Sequence, residues 1–407
     1  MVIEIVQLTP DDEALIRAGG HLLRNAFGGD PPSGTEDKDE QYRKSTGQEV
    51  VFAAVEGREL LGVTSIQPYG QWFAGQELAM GGISGVAVAA HARRRGIARS
   101  LLTAAIERMH ADGQPVSTLY PSIPPAYRSF GWEVAGELSY LDLPVARLSA
   151  AGAVGPAGGG HTTDVTLRAL DRAEPAAADL QAVHALYTAA ARPAVGPLTR
   201  TGPLFDLAKL AELDGVVIAS VDGIDAGYVS WSRKDFPDAA PRLDVHDLIA
   251  DRADVRDALL SCVGSWQTSI GNTRLRLADP VVGGLGLPRG GFALHEPWML
   301  RLIDAPAAVA GRGFGPFGAD VDLELVDPQA PWHAGKWRLT VADGRGRLEP
   351  GGSGAVRLGP RGLAAVFTGY AGVAALRSAG LADGDEAALA RLVALFAGPA
   401  PWMLDDF

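Results

Sequence analysis

A strand-like run, a basic turn and an amphipathic helix follow one another between Leu78 and Met109, and this order restricts the fold more than any other part of the sequence. Leu78–Ala89 has the apolar character of a buried strand. After the turn, apolar residues recur at three- to four-residue spacing, which predicts a helix with one buried face: Ile97, Leu101, Leu102, Ala105, Ile106 and Met109. Val116–Tyr120 is predicted to be a second buried strand. Strand, helix and strand in this order predict a parallel pair with the helix packed on one sheet face.

The turn between strand and helix has the composition of a phosphate site. It carries four arginines and one glycine, namely Arg93, Arg94, Arg95, Arg99 and Gly96. Backbone N–H groups at a helix start have no intrahelical acceptor, and together with the helix dipole they attract an anion. A glycine lets the backbone approach such a ligand closely. Cations at this end oppose the dipole unless an anion is bound, so a phosphate ligand is favoured over a helix start with solvated arginines.

The same segment resembles a known cofactor motif. Arg93-Arg94-Arg95-Gly96-Ile97-Ala98 is similar to the Arg/Gln-x-x-Gly-x-Gly/Ala motif of the GCN5-related N-acetyltransferase (GNAT) superfamily, and Val86-Ala87-Val88 resembles its central strand. The resemblance implies acetyl-CoA as co-substrate. It also implies contacts with the pantetheine arm from Val86, Ala87 and Val88, and with the pyrophosphate from Arg93, Arg94, Arg95, Gly96, Ile97, Ala98 and Arg99. Backbone N–H groups near the strand would stabilise the oxyanion that forms when an amine attacks the thioester.

A Gly/Ala-rich stretch, Leu148–Thr163, has no periodicity and predicts a linker. Before it, Val50–Val55 and Leu60–Gln67 predict a β-hairpin. After it, the same plan recurs in Val165–Leu170, Pro175–Ala191, Gly215–Val221, Ala226–Trp231, Arg242–Ile249, Val255–Thr268 and Thr273–Leu277. This second copy lacks an Arg-rich glycine turn, and we expect that it has lost the cofactor site.

From about Glu296 the pattern changes to strands followed by helices, which predicts an α+β domain. The strands are predicted at Trp298–Ile303, Val321–Val326, Lys336–Val341 and Ala355–Leu358, and the helices at Gly362–Phe367, Gly372–Ser378 and Glu386–Phe396. The fold class is therefore α/β plus α+β. The expected domains are a catalytic GNAT domain at 1–148, a degenerate GNAT-like domain at 164–295 and a third domain at 296–407.

This domain order, together with a terminal phenylalanine, resembles the actinobacterial enhanced intracellular survival (Eis) acetyltransferases. The resemblance implies a sterol-carrier-protein-like third domain and a homohexamer. It identifies Tyr127, within Pro125-Ala126-Tyr127-Arg128-Ser129-Phe130-Gly131, as the counterpart of the family's catalytic tyrosine. It likewise implies cofactor contact by Ser122, an active-site role for Ser84, and a general base in the terminal carboxylate of Phe407.

The chemistry of amine acetylation is compatible with these assignments. An alkyl amine has a pKa near ~10, so a base must remove its proton before or during attack. A free α-carboxylate, with a pKa near ~3.5, is a weak base unless burial raises its pKa or a water relays the proton. Tyr127, with an ordinary pKa near ~10, suits the general acid that protonates a departing thiolate of pKa near ~8.5. Without the resemblance, Tyr127 and Phe407 would be interpreted as packed aromatic residues.

Composition limits the other classes of function. The formal net charge of -12 argues against non-specific nucleic-acid binding and mildly favours cationic partners. A single cysteine, Cys262, excludes an intramolecular disulfide and a cysteine-built metal site, and the histidines have no metal-ligand spacing, so no metal is expected. Neither a signal peptide nor a membrane span is visible, and we expect a cytoplasmic protein.

The acceptor is the least constrained part of the prediction. The resemblance implies aminoglycoside-like polyamines, acetylated at more than one position by direct attack in a ternary complex. A set of acids in the first helical region would attract a polyamine or would form a solvated loop: Asp30, Glu36, Asp37, Asp39 and Glu40. Two alternatives remain open, a lysine N-acetyltransferase acting on proteins or peptides and a carrier of apolar ligands with a vestigial GNAT module.

Overall fold

The computed structural model describes residues 2–28, 47–149, 164–237, 239–278 and 291–407. These residues form two β-sheets, one of 13 strands and one of five, with helices on their faces. The described part of the predicted linker is limited to its first two residues, and the acids predicted to attract a polyamine lie outside the described residues. No helix within the described ranges is long and apolar enough to cross a membrane.

The first unit contains the strand–turn–helix segment that dominates the sequence. Its parallel pair of strands and its hairpin lie where the sequence predicts them. The hairpin strands extend beyond the predicted bounds because their cross-strand ladder continues, whereas the strands of the parallel pair each end one residue before the predicted end. Its elements are β1 (Glu4–Leu8), α1 (Glu13–Phe27), β2 (Val50–Glu56), β3 (Glu59–Phe73), β4 (Gln76–Val88), α2 (Ile97–Ala111), β5 (Val116–Leu119), α3 (Pro124–Arg128), β6 (Glu133–Pro144) and α4 (Ala146–Ser149).

The second unit repeats this order of strand, helix, hairpin, central strand, helix and parallel strand. Its last two strands pair in parallel, as β4 and β5 do in the first unit. Its elements are β7 (Val165–Ala169), α5 (Ala177–Ala191), β8 (Val195–Leu198), β9 (Gly215–Val221), β10 (Ile224–Phe236), β11 (Ala239–Ala250), α6 (Ala253–Gly264) and β12 (Asn272–Leu277).

The next strand, β13 (Phe292–Leu302), shows how the two units are joined. The large sheet has the order β1-β2-β3-β4-β5-β13-β6-β12-β11-β10-β9-β7, and its thirteenth strand, β8, pairs with β3 outside this path. Thus β6 of the first unit pairs with β12 of the second, while β13 enters the first unit between β5 and β6. The sequence placed Trp298–Ile303 in the third domain. That placement is corrected here, because β13 completes the sheet of the first unit by antiparallel pairing on both sides.

The third unit is an α+β unit with a five-stranded sheet. Its elements are α7 (Ala305–Ala310), β14 (Ala319–Leu325), β15 (Gly335–Ala342), β16 (Arg345–Pro350), β17 (Val356–Leu358), α8 (Pro360–Phe367), α9 (Val373–Ser378), β18 (Ala382–Gly384) and α10 (Glu386–Phe396). The sheet has the order β16-β15-β14-β17-β18. Its apolar core merges with that of the large sheet through residues such as Phe73, Trp298 and Phe367. The predicted helices agree with α8, α9 and α10 to within two residues.

Candidate active site

The central strand β4 separates from β5 at the point where the sequence predicts the cofactor. The two strands pair only from Met80 to Gly82, and β5 ends shortly afterwards at Leu119. The ladder between β3 and β4 also shifts register next to Ser84, where Gly85 has a φ of +61°. Because glycine adopts a positive φ without strain, it permits this bulge. Beyond Gly82, the described strands leave one side of β4 without a ladder partner, as a strand-like pantetheine arm requires.

The turn after β4 has the conformation of an anion site. Gly96 is the N-cap of α2 with a φ of +80°, and no side chain caps the first turn of the helix. Arg94 also has a positive φ, of +67°, and the backbone therefore curves sharply before the helix. The open N–H groups of α2 consequently point out of the turn, where a pyrophosphate would accept their hydrogen bonds.

The predicted cofactor residues around this turn differ in what they contact. The side chains of Arg93 and Arg94 are exposed, whereas Arg95 donates two hydrogen bonds to Glu56, at 2.8 and 3.2 Å. The Arg99 guanidinium lies over the Phe130 ring, 5.3 Å from its centroid. Ile97 and Ala87 are buried in the core, so any contact with the cofactor from these two residues is through the backbone; Val86, Val88 and Ala98 are half-buried.

A cavity of about 670 Å³ opens beside the separated strands. It brings together five residues that the sequence singled out from distant parts of the chain: Ser84, Val86, Ser122, Tyr127 and Phe407. Its remaining lining comes from α1, β4, the segment after β5, and β13: Leu23, Arg24, Phe27, Gly28, Ile83, Gly85, Tyr120, Pro121, Glu296 and Pro297. Among the described residues, no three His, Cys, Asp or Glu side chains are grouped to hold a metal ion.

Tyr127 lies on the short helix α3 and is 8% exposed. Burial raises the pKa of its hydroxyl above the ordinary value, and a hydrogen bond with Ser122 offsets part of that rise. The hydroxyl therefore stays protonated at neutral pH and can donate a proton into the cavity.

Phe407 reaches this cavity from the far end of the chain. Its ring centroid is 4.9 Å from that of Tyr69 and 6.0 Å from that of Tyr120. It lies against Gly82 of β4, where a Cβ would come within 2.7 Å of the Phe407 ring. The absence of a side chain at Gly82 therefore makes room for the terminal residue beside the reacting strand.

The segment that precedes Phe407 is held mainly by the second unit. The Arg200 Nε donates to the Asp405 carboxylate at 2.9 Å, and Arg276 donates to the Leu404 carbonyl at 2.5 Å and pairs with Asp406 at 2.9 Å. From the first unit, the Tyr120 hydroxyl donates to the Asp405 carbonyl at 3.1 Å. We call residues 401–407 the C-terminal segment.

The third unit supports the helix that carries Tyr127. Arg128 on α3 and Arg361 on α8 each donate to the carboxylate of Glu133, at 2.8 and 2.7 Å. Burial raises the pKa of Glu133, but hydrogen bonds from the Val134 N–H, Arg128 and Arg361 outweigh it and leave the pKa below its ordinary value. The buried carboxylate is therefore ionised and links α3 to the third unit.

Sequence reasoning missed two acidic residues of this site, Glu296 and Glu133. Glu296 lies on β13 and accepts a hydrogen bond from the Tyr140 hydroxyl at 3.2 Å. Its place in the cavity depends on the insertion of β13 beside β6, for which the sequence carries no local signal. Glu133 lies two residues after the Tyr-x-x-Phe-Gly context that ends at Gly131, and this proximity was the available hint.

Comparison with known proteins identifies the first and third units. Residues 12–135 match a family described as "Acetyltransferase (GNAT) domain", and residues 305–404 match "Sterol carrier protein domain". An uncharacterized N-acetyltransferase of Streptomyces avermitilis is 30% identical over 287 residues, which are 67% of each chain. The chain belongs to the GNAT acetyltransferases. It is therefore an N-acetyltransferase, and enzymes of this family use acetyl-CoA as co-substrate.

Two solved structures resemble this protein over the whole length of its chain. A GCN5-related N-acetyltransferase from Kribbella flavida has a TM-score of 0.83 and 31% identity, covering 100% of this chain and 98% of that one. Eis1 from Mycobacterium abscessus has a TM-score of 0.74 and 22% identity, with full coverage of both chains. The second likeness concerns the fold alone.

Replacing Gly82 by alanine tests the position of Phe407. The new Cβ displaces the Phe407 ring from β4. We expect kcat for amine acetylation to fall about tenfold or more, because the terminal residue is then misplaced relative to the bound amine. The matched control is Gly271→Ala at the start of β12, where a Cβ meets nothing within 4 Å. Equal kcat values for the two variants, with equal melting temperatures, would contradict the placement.

Proposed function

We propose that this GNAT enzyme transfers the acetyl group of acetyl-CoA to a primary amine by direct attack within a ternary complex. The amine binds in the cavity of about 670 Å³ beside β4 and β5, which we call the first cavity. The observation that supports it most is the meeting of Ser84, Tyr127 and the terminal residue Phe407 beside the separated strands β4 and β5. The side of β4 that the described strands leave unpaired beyond Gly82, the bulge at Gly85 and the open turn at Gly96 leave room for a strand-like arm and a pyrophosphate, so the residues present fit acetyl-CoA.

Acetyl-CoA, when bound, supplies an activated thioester. Two groups of this chain then carry out the two proton transfers, one at the amine nitrogen and one at the sulfur. The Phe407 carboxylate accepts the proton that leaves the amine nitrogen as the new C–N bond forms. The Tyr127 hydroxyl donates a proton to the sulfur as the C–S bond breaks, and solvent restores the tyrosine proton as the carboxylate releases its own. The backbone N–H groups near Val86–Val88 stabilise the negative charge that develops on the carbonyl oxygen.

The acceptor is proposed to be cationic and small, of the aminoglycoside-like polyamine class. Among the described residues lining the cavity, Glu296 supplies the acidic side chain, and Phe407, whose carboxylate is the proposed base, lies beside it in the lining. Arg24 lies on the α1 side, and aromatic rings from Phe27 and Tyr120 form apolar walls. A cavity of about 670 Å³ is large enough to accept such an amine in more than one orientation, which supports acetylation at several positions.

From the resemblance to the Eis family we propose a homohexamer in the cytoplasm, with Phe407, Tyr127 and Ser84 as active-site residues of each chain. The domain limits 1–148 and 164–295 are proposed for the two GNAT-like units. A peptide lysine is the second candidate acceptor, since the cavity is open to solvent on one side.

Tyr127→Phe tests the reaction and the general acid together. CoA-thiol release from acetyl-CoA is measured with several aminoglycosides, simple polyamines and a lysine peptide. We expect turnover on at least one polyamine and a fall in kcat of about 100-fold or more in the variant, with acetyl-CoA affinity unchanged. Turnover on the peptide alone would replace the polyamine proposal, and unchanged kcat in the variant would reject the role of Tyr127.

Glu296→Gln tests the recognition of the acceptor charge. Loss of one charge-assisted hydrogen bond is expected to raise KM for the polyamine about tenfold while kcat changes little. Glu77→Gln removes the same charge from an exposed position at the start of β4 and serves as the matched control. If both variants have the wild-type KM, Glu296 does not contact the acceptor.

A further inference from the structure

Glu49 is a half-buried acidic residue that the proposed reaction does not use. It lies directly before β2. Its hydrogen bonds go to two neutral side chains of β3, Gln67 and Ser65. Burial raises the pKa of the Glu49 carboxyl, and these two bonds offset part of the rise. A carboxyl that is kept partly from water at this cost, next to the strands of the active site, is a candidate for a functional role.

Two hydrogen bonds connect Glu49 to Tyr69. The Gln67 Nε2 donates to the Glu49 Oε1 at 3.1 Å, and the Tyr69 hydroxyl donates to the Gln67 Oε1 at 3.1 Å. A carboxamide has its donors on the nitrogen and its acceptor on the oxygen, so the acceptor at Glu49 decides which way the Gln67 amide faces. The amide oxygen is thereby turned to the Tyr69 hydroxyl. We call Glu49, Gln67 and Tyr69 the polar row.

The polar row ends at the ring of the terminal residue. In the β3–β4 ladder Gln67 lies opposite Gly82, and Tyr69, two residues further along β3, belongs to the same sheet face. A Cβ at Gly82 would come within 2.7 Å of the Phe407 ring and 3.0 Å of the Tyr69 ring. The two rings are in contact, with centroids 4.9 Å apart. Glu49 is therefore connected to Phe407 through one amide and one ring.

Two tyrosine rings pack on Phe407, and the hydroxyl of each is hydrogen-bonded. The Tyr120 centroid is 6.0 Å away, and its hydroxyl donates to the Asp405 carbonyl of the C-terminal segment. Tyr69 is supported by the Phe205 ring, whose centroid is 5.6 Å from its own, and by the polar row. Burial raises the pKa of Tyr69, so its hydroxyl stays protonated and able to donate at neutral pH. The polar row thus holds Tyr69 as the Asp405 carbonyl holds Tyr120.

Glu49 acts from outside the cavity in which the acceptor amine is proposed to bind. The described residues that line the first cavity include Phe407 but not Glu49. The Glu49 carboxyl is instead engaged by Gln67 and Ser65. Its effect on the reaction would therefore pass through Phe407, and would depend on its ability to accept a hydrogen bond and not on its charge.

We propose that Glu49 is a positioning residue for Phe407. By accepting the Gln67 amide it fixes the Tyr69 ring, and this ring holds Phe407 against Gly82 beside the reacting strand. The effect on turnover rests on the proposed function, whereas the effect on the position of Phe407 does not.

The position of Phe407 is measured with carboxypeptidase A, which removes an accessible C-terminal aromatic residue. Phenylalanine release from the full chain is followed over time, and its rate depends on how often the C-terminal segment opens. In Glu49→Leu the Gln67 amide loses its acceptor, and we expect release to be about tenfold faster than in the wild type. In Glu49→Gln the new amide oxygen can accept the same bond, and release should stay within about twofold of the wild-type rate. Glu4→Leu removes an exposed carboxylate from β1 and serves as the matched control, with the wild-type rate expected.

Release at the wild-type rate in Glu49→Leu would overturn the proposal. Equally fast release in Glu49→Gln and Glu49→Leu would also overturn it, because charge and not hydrogen bonding would then be the requirement. Where Glu49→Leu fails to fold, Tyr69→Phe takes its place, since it removes the hydroxyl and keeps the ring. It should also accelerate release, and an unchanged rate in that variant would equally reject the polar row.

Turnover tests whether this position matters for catalysis. Glu49→Leu should lower kcat for the polyamine about tenfold in the full chain, while acceptor KM and acetyl-CoA affinity stay unchanged. In a chain that lacks Phe407 the same substitution should cost less than about twofold, because its effect passes through the deleted residue. A tenfold loss in both backgrounds would mean an independent role and would overturn the action through Phe407. If deletion of Phe407 itself leaves kcat unchanged, the terminal base of the proposed function fails, and the release rates still decide whether Glu49 positions Phe407.

Discussion

The geometry of the candidate active site depends on the contacts by which Arg200 fixes the C-terminal segment. Its guanidinium joins Asp247 of the second unit to Asp405 of the C-terminal segment and stacks on Tyr187 at 3.8 Å from the ring centroid. Asp247 and Tyr187 are buried, and the side chains of Arg200 and Asp405 are only 15% and 16% exposed. Removal of the arginine would therefore leave two carboxylates without their cation, at a cost of about 3 kcal/mol. The arrangement fixes the path of the C-terminal segment to the wall of the candidate cavity. In this way a unit without the Arg-rich turn helps to shape the cavity of its neighbour.

The exchange of strands makes this arrangement possible. Since β6 pairs with β12 and β13 pairs with β5 and β6, the two GNAT-like units share one continuous sheet. The same insertion brings Glu296 to the cavity and starts the third unit directly behind α3. Arg361 of that unit then reaches Glu133 and steadies the helix of Tyr127. The third unit therefore supports the candidate site in two ways. Arg361 pairs with Glu133, and the C-terminal segment, with which the unit ends, lines the cavity.

The sequence predicts those parts of the enzyme that are encoded in local patterns. The strand before Arg93, the glycine turn and the apolar face of α2 follow from residue spacing within about 30 positions. The paths of β13 and of the C-terminal segment depend on contacts between residues more than 100 positions apart, and they have no periodicity of their own. The place of Glu296 in the cavity and the contact of Arg200 with the C-terminal segment are therefore invisible until the fold is known. Tyr127 and Phe407 were predicted to lie together because a resemblance to a family supplied the long-range information, and both line the same cavity.

The terminal carboxylate is tested most directly by deletion of Phe407, which moves the carboxylate to Asp406 and empties the ring's place against Gly82. The measurement is kcat for polyamine acetylation beside acetyl-CoA affinity and melting temperature. A base and a cavity wall are lost together, and kcat is predicted to fall about 100-fold or more while acetyl-CoA affinity and melting temperature stay near those of the full chain. Near-normal kcat in the shortened chain would contradict a catalytic role for the C-terminal residue.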